Sequence, residues 1–260
     1  MSFDEQDYQR ILEAGWDVGR AVWDEQSDYE KSFMRLELSG IKSPNYYEAR
    51  IEKIGFDSSG VILDVGCGLG QWSTVLANKN QKCIGLDVNT GRLGVARHLS
   101  DRHKIHNVEF LASKAEKLPF DSQVFDAVFC YGVFMFTDMP SALGEFSRVL
   151  KPNGKLYVNA NTWGWYANLI INLGLLRANS TMIRSGLGMI GRFLSGESRS
   201  ILVTKRYLTD IIKACGFEIL QIGAEGECDA FSGVHRDLQP AYPSRYYGMQ
   251  SILEILLVRR

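Results

Sequence analysis

Three glycines at alternate positions, Gly66, Gly68 and Gly70, close the run Val61-Ile-Leu-Asp-Val-Gly-Cys-Gly-Leu-Gly70, where an apolar stretch gives way to a turn and then to helix-like spacing. Glycines at the carboxyl end of a buried strand let the chain turn tightly and let a ligand approach main-chain atoms. Roughly 20 residues further on, the run Cys83-Ile-Gly-Leu-Asp-Val ends a second strand at Asp87, whose carboxylate can accept both hydroxyls of a ribose. The pair points to a nucleoside-bearing cofactor. The third glycine falls one residue too early for the G-x-G-x-x-G dinucleotide fingerprint, Gln71 standing in its place, and no Lys-Ser/Thr follows to make a phosphate-cradling loop. Alone, the turn is equally an ordinary strand-to-helix connection, and Asp87 equally a first-turn acid favoured by the helix dipole.

Groups that move a proton are fewer. His98, His103 and His106 fall in or after the second helix, on the surface and away from the strand ends. His235 lies in Ser232-Gly-Val-His-Arg-Asp237, in a long loop able to fold over an acceptor, and imidazole is the natural general base near neutral pH. A solvated loop histidine is the competing reading. Asp237, Tyr242, Tyr246 and Tyr247 share that loop. Tyr131, at the end of the fourth strand, is the other catalytic candidate, weighed against a core role with Phe134 and Phe136.

These residues need a scaffold. Of 260 residues 45% are apolar and 23% charged, the balance of a globular chain, and no apolar run approaches the roughly 20 residues of a bilayer crossing. Asp4, Glu5 and Asp7 open the chain where a targeting signal would be basic and apolar, so a cytoplasmic location is expected. The scattered Cys67, Cys83, Cys130, Cys215 and Cys228 form no C-x-x-C pair and read as free thiols, with no metal site. A net charge of -1 argues against a nucleic-acid partner.

Short apolar runs alternate with helical spacing. Strands are expected at Val61 to Val65, Cys83 to Leu86, Val108 to Ala112, Phe125 to Cys130 and Lys155 to Asn159, nearly all apolar as buried parallel strands are. Asp138 and Pro140 start a helix, and Pro152 to Gly154 form a turn after it. A helix at Leu208 to Cys215 precedes strands at Phe217 to Ile222 and Ile252 to Val258, which pair antiparallel because no helix separates them. The expected fold is α/β: a doubly wound, mostly parallel, Rossmann-like sheet of seven strands with one antiparallel strand. Residues 1–57 form an N-terminal helical segment covering the site, 58–160 the cofactor-binding core, 161–206 an inserted helical cap for the acceptor, and 207–260 the C-terminal helix and strand pair.

The run Asp64-Val-Gly-Cys-Gly-Leu-Gly70 resembles the first motif of the class I S-adenosylmethionine-dependent methyltransferases. Phe110-Leu-Ala-Ser-Lys-Ala-Glu-Lys-Leu-Pro-Phe120 is similar to that family's adenine-side loop, Phe125-Asp-Ala-Val-Phe-Cys-Tyr131 to its fourth-strand motif, and Arg148-Val-Leu-Lys-Pro-Asn-Gly-Lys-Leu156 to its turn into the fifth strand. The resemblance covers roughly Val61 to Val158, with the motifs in order. It implies S-adenosylmethionine as cofactor, with Gly66 and Gly68 bordering the methionine moiety beside Cys67. Asp87 would hold the ribose beside Val88, and Ala115 and Glu116 would flank adenine. Cys130 and Tyr131 would close the sulfonium side, and Asp64 would face the amino group. The chain departs from the family pattern at Lys114, where an acid is frequent, and at Phe136, where a histidine is.

Charge is segregated: residues 1–60 hold 13 acids against 7 bases, whereas 161–206 hold one acid, Glu197, against six bases. Arg177, Arg184, Arg192 and Arg199 of the cap can pair with the acidic arm, hold an anionic group of the acceptor, or lie on an anionic membrane; the first reading is preferred. The expected function is methyl transfer to a small molecule, apolar or aromatic with or without an anionic group. Oxygen is the preferred target atom over nitrogen or carbon. The competing readings are a non-catalytic cofactor-binding partner, a nucleic-acid or protein methyltransferase, and, against Gln71, a nicotinamide oxidoreductase.

Overall fold

The computed structural model describes residues 3–176, 180–195, 205–233, 238 and 240–260. Four helices come first: α1 (Phe3–Glu13), α2 (Arg20–Asp24), α3 (Asp28–Leu38) and α4 (Pro44–Ile54). An alternating core follows: β1 (Val61–Val65), α5 (Gln71–Lys79), β2 (Lys82–Asp87), α6 (Thr90–Arg102), β3 (Val108–Ala112), β4 (Phe125–Cys130), α7 (Met139–Val149) and β5 (Leu150–Asn161). Then come α8 (Trp163–Asn168), which continues as a π-helical stretch Leu169–Leu175, and α9 (Ser180–Leu194). The chain finishes with α10 (Lys205–Ala214), β6 (Phe217–Ala224), a small hairpin of β7 (Arg245–Tyr246) and β8 (Met249–Gln250), and β9 (Ile252–Arg259).

The main sheet has seven strands in the order β3-β2-β1-β4-β5-β9-β6. β1 through β5 pair in parallel, and β9 runs antiparallel to both β5 and β6, with Tyr157 opposite Leu256 and Ile222 opposite Ile255. The strand order turns at β1 and β4, so their carboxyl ends open onto one crevice, where ligands bind in sheets of this kind. β5 is longer than the expected Lys155 to Asn159. Its pairing with β4 jumps from Phe125↔Leu150 to Ala127↔Lys155. The turn expected at Pro152 to Gly154 is the excursion inside this strand, with Asn153 at φ 61°. The hairpin of β7 and β8 falls inside what the sequence presents as a loop.

Side chains along the central strands divide between two cores with period two, as pleated strands covered on both faces must. Leu63, Val65, Val128, Cys130, Leu156 and Val158 face α7 and α10 on one side. Ile62, Ala127, Phe129 and Tyr157 face the other, and there they meet the N-terminal helices. Trp16, Trp23, Tyr47 and Phe56 are fully buried in this second core with Trp72 and Val75 of α5, each such ring contributing on the order of 2 to 3 kcal/mol. Local signals set the helix starts. Ser43 Oγ caps α4 by accepting from Tyr46 N at 3.2 Å, and Asp138 caps α7 by accepting from Ser141 N at 3.0 Å.

One expectation changes, and another, the pairing of the cap arginines with the acidic arm, falls largely outside the described residues. The N-terminal acids pair locally: Asp4 with Lys31 at 2.9 Å, Asp7 with Arg35 at 3.2 Å, Glu37 with Lys42 at 3.2 Å and Glu30 with Arg92 at 3.1 Å. Among the described residues none pairs with Arg184, while Arg177, Arg199 and the side chain of Arg192 lie outside the description. Bases on α3 and α6, held against these acids by the buried aromatic core, meet them first. His98 and His103 are covered rather than free on the surface: His103 packs its ring on Trp16 at 5.3 Å and accepts from Asp17 N at 3.4 Å, and an added Cβ at Gly19 would stand 2.3 Å from His98 Nε2. None of the described helices is long and apolar enough to cross a membrane.

Candidate active site

The glycine turn between β1 and α5 is built from left-handed backbone. Gly66 has φ 75°, and a Cβ there would lie 2.2 Å from Val133 Cγ2, so the position admits only hydrogen. Gly68 has φ 54° and a different reason for its type: a Cβ would meet nothing within 4 Å. The main chain is bare where it turns. Gly68 N donates to Asp87 Oδ2 at 2.9 Å, and Asn89 N donates to Asp87 Oδ1 at 2.8 Å, which fixes the carboxylate at the end of β2.

A cavity of about 590 Å³ opens on Gly66 and Asp87; Gly68 is not on its lining. Gly66, Asp87, Val88, Ala115, Glu116 and Phe136 are part of its lining, with Arg92 and Lys114 also on it. Val88 and Phe136 are 67% and 61% exposed, although both are apolar, and exposed apolar walls in a concave site are what a flat ring covers. Glu116 is held in place by accepting from Asp138 N at 2.9 Å. Arg92 makes a forked bond to Glu30 of α3 at 3.1 and 3.2 Å and lies 4.1 Å from the centre of the Phe33 ring, so an N-terminal helix is tied to this cavity through one guanidinium. A bare main-chain turn, a fixed carboxylate and two apolar walls fit a nucleoside carrying an amino-acid tail.

Five of the expected residues, Gly66, Asp87, Val88, Ala115 and Glu116, thus come together on one cavity. Others stand elsewhere. Asp64 is buried beneath the turn and accepts from Ser73 Oγ at 2.5 Å. Burial pushes its carboxyl up to about 7, the Ser73 hydroxyl opposes this, and the charge of Asp87 adds to it. The Cys67 side chain packs with Leu93, Ala96 and Phe110, and Cys130 is fully buried among Val65, Val128 and their neighbours. Burial raises both thiols. Neither side chain lines the cavity. His235 and Asp237 lie outside the described residues.

Tyr131 follows β4 and stands among a second group. Its ring is 5.0 Å from Trp72 and is stacked parallel to Tyr157, and its hydroxyl donates to Glu225 Oε1 at 2.5 Å. Glu225, just after β6, is 2% exposed, and its Oε2 has no hydrogen-bond partner. Burial pushes its carboxyl up to about 7 against the pull of Arg50. Arg50 of α4 donates to Glu254 Oε2 at 2.7 Å, Tyr157 donates to the same oxygen at 3.0 Å, and Arg50 Nη1 and Trp72 Nε1 are left without partners. Buried polar atoms without partners are costly, so such a cluster marks either strain or a ligand site.

Sequence reasoning missed Glu225, Arg50 and Arg92, and placed Phe136 in the core with Phe134. The 3-10 turn Phe134–Phe136 separates the two rings, burying Phe134 fully and turning Phe136 outward. Glu225 carried a signal, an acid between Gly223-Ala and Gly226 at a strand end. Arg50 carried none, since it sits in a helix of ordinary mixed polarity.

Residues 63–158 match the family model described as a methyltransferase domain. The chain is 35% identical over 95 residues to an uncharacterized methyltransferase, YcgJ, of Bacillus subtilis, covering 36% of this chain and 38% of that protein. It is 36% identical to a demethylmenaquinone methyltransferase of Lactococcus lactis, covering 50% and 52%, and 31% identical to the ubiquinone/menaquinone biosynthesis C-methyltransferase UbiE of Hahella chejuensis, covering 63% and 64%. The matched stretches thus span between 38% and 64% of these relatives' length. Among solved structures, geranyl diphosphate methyltransferase in complex with SAM superposes with a TM-score of 0.60 at 15% identity, covering 92% of this chain and 94% of that one. YcgJ of Bacillus subtilis superposes with 0.54 at 17%, covering 83% and 99%. Residues 63–158 therefore match a methyltransferase domain, and the seven-stranded sheet has the fold of the solved methyltransferase structures it superposes on.

Proposed function

We propose that the chain is an S-adenosylmethionine-dependent methyltransferase acting on a small-molecule acceptor. The observation that carries this reading is the joining, on one cavity, of the left-handed turn at Gly66, the Asp87 carboxylate that accepts from Gly68 N, and the exposed Val88 and Phe136. Asp87 holds the ribose hydroxyls, Gly66 and Gly68 offer main-chain atoms to the methionine portion, and Val88, Ala115 and Phe136 enclose the adenine. When bound, the cofactor supplies a methyl group made electrophilic by its sulfonium. The protein's part is then alignment and exclusion of water, worth roughly 7 to 11 kcal/mol when geometry is good.

Tyr131 and Glu225 serve the acceptor side. A hydroxyl acceptor must lose a proton as it is methylated, and a positioned base there contributes on the order of 100 to 10,000-fold. Glu225, with its carboxyl near neutrality and one oxygen unpaired, is suited to receive that proton directly or through the Tyr131 hydroxyl. Oxygen is the first reading of the target atom. A ring carbon is the second, favoured by the relatives whose names specify demethylmenaquinone and C-methylation; removing a proton from a ring hydroxyl makes the adjacent carbon nucleophilic, so the same two residues serve both.

Calorimetric titration with S-adenosylmethionine and its demethylated product, with NADH and NADPH as controls, tests the cofactor. Binding near micromolar, about -8 kcal/mol, supports the reading, and nicotinamide binding or none overturns it. Labelled methyl transfer to catechols and to 1,4-naphthohydroquinones then separates oxygen from carbon by the position of the label.

A further inference from the structure

The stretch 161–206 has charges and an apolar face that the proposed reaction does not use. In it, the π-helical stretch and α9 pack antiparallel: a Cβ at Gly174 would lie 2.6 Å from Ile183, and one at Gly186 2.5 Å from Ile170. That contact uses the Ile183 and Gly186 side of α9. The flank of α9 beside that contact carries Arg184, Leu187, Gly191 and Leu194, whose spacing of three, four and three residues aligns them along one stripe. All four are exposed. Leu187 is 56% and Leu194 73% exposed, and the end of the π-helical stretch adds Leu175 and Leu176 at 60% and 74%. Single exposed leucines are ordinary, but four on one helical hairpin ask for a cover.

The charge says which cover. In a chain of net charge -1, residues 161–206 hold six bases against one acid, and Asp4, Asp7, Glu30 and Glu37 of the acidic N-terminal segment are paired with other bases. A second copy would bring like charge against like charge, which disfavours a homodimer through this face. An exposed leucine stripe bordered by a basic residue suits a helix that lies in a bilayer interface.

We infer that the exposed leucine stripe of α9, with Leu175 and Leu176, docks on an anionic lipid surface, the leucines entering the acyl boundary and Arg184 resting at the headgroups. The surface is independent of whether the reaction proposed above is correct, and its test needs no turnover.

The full-length protein is floated with phosphatidylcholine vesicles, with and without phosphatidylglycerol. Binding is expected only with the anionic lipid, weakening as ionic strength rises from about 0.1 M to about 1 M and the screening length falls from about 10 to about 3 Å. Leu187→Glu and Leu194→Glu are each expected to weaken binding by at least about tenfold, with Leu36→Glu, an equally exposed site on α3, leaving it unchanged. Leu187→Trp, which keeps the face apolar, should shift its emission to the blue on anionic vesicles even if a glutamate variant folds poorly. Equal binding to both vesicles, no binding, no effect of the two glutamates, or an unshifted tryptophan overturns the inference. So does a dimer in light scattering that the same glutamates abolish, or salt-sensitive RNA binding in place of vesicle binding.

Discussion

Tyr131 and Glu225 lie 94 positions apart in the chain and are joined by a 2.5 Å hydrogen bond in which the phenol donates to Oε1, while Oε2 has no partner. Arg50 and Tyr46 face Glu225 from α4, Tyr157 and Glu254 from β5 and β9, Tyr246 from β7, and Lys42 and Tyr242 from the flanking loops. Burial outweighs the two cations and brings the carboxyl up to about 7.

That balance sets a pH profile. A base must be ionised to act, so kcat/KM should rise with pH to a plateau above about 7. Glu225→Gln should lower kcat by about 100-fold or more and flatten the rise. Tyr131→Phe removes a bond that favours the ionised carboxylate, so the rising limb should move to higher pH. An unmoved limb in Tyr131→Phe and full activity in Glu225→Gln would exclude the pair from the reaction.

Asp64 makes a different prediction, on stability. Its carboxyl rises from an ordinary 3.8 to about 7 on folding, chiefly through burial. The folded state therefore binds a proton the unfolded state has released, and this contribution is whole below pH 4 and lost as pH climbs through 7. At about 1.4 kcal/mol per tenfold, the loss is on the order of 4 kcal/mol. Asp64→Asn, whose amide oxygen can still accept from Ser73, should have a flatter stability profile between about pH 5 and about pH 8 and should gain on the parent at the upper end. Urea unfolding at the two pH values measures it.

Cofactor affinity divides the cavity walls from the core. Phe136→Ala should weaken S-adenosylmethionine binding by about tenfold or more with little change in Tm, because the ring is 61% exposed. Phe134→Ala, two residues away and fully buried, should instead cost about 3 to 5 kcal/mol of stability. Asp87→Ala removes the proposed ribose contact and also leaves Gly68 N and Asn89 N without their acceptor. It should therefore lower both affinity and stability, the latter by about 1 to 3 kcal/mol. Calorimetry and thermal unfolding of the three variants separate the effects.

The contrast between Phe134 and Phe136 also shows where the sequence stops speaking. β1 and β4 are legible to the residue because strands buried on both faces are nearly unbroken apolar runs; β3 has the expected bounds but is an edge strand with Phe110 its one buried residue, and α7 is legible because Asp138 and Pro140 announce it. Asp87 and Val88 are legible because their places follow from strand ends. A ring's side of a short 3-10 turn is not written in its type. Neither is the burial of Glu225, which depends on α4, the end of β4 and β9 arriving together. Asp64 shows the reverse: it sits where a ligand acid is expected, yet Ser73, one helical turn into α5, takes its bond.

The glycine turn gives the sharpest comparison, because Gly66 and Gly68 share a left-handed backbone and differ in what surrounds them. Any residue with a Cβ costs about 1 to 2 kcal/mol in that conformation, so Gly68→Ala should lose about that much stability. Its methyl meets nothing in the protein and would enter the space proposed above for the methionine portion of the cofactor, so affinity should fall further than stability. Gly66→Ala adds a methyl 2.2 Å from Val133 Cγ2, and overpacking of that kind costs roughly a further 1 to 3 kcal/mol. Val133→Ala in the Gly66→Ala background should return most of that second part and none of the first. If both glycine variants lose stability equally, the close approach of Val133 does not constrain the turn. If Gly68→Ala binds S-adenosylmethionine as the parent does, the bare main chain at Gly68 is not where the cofactor lies.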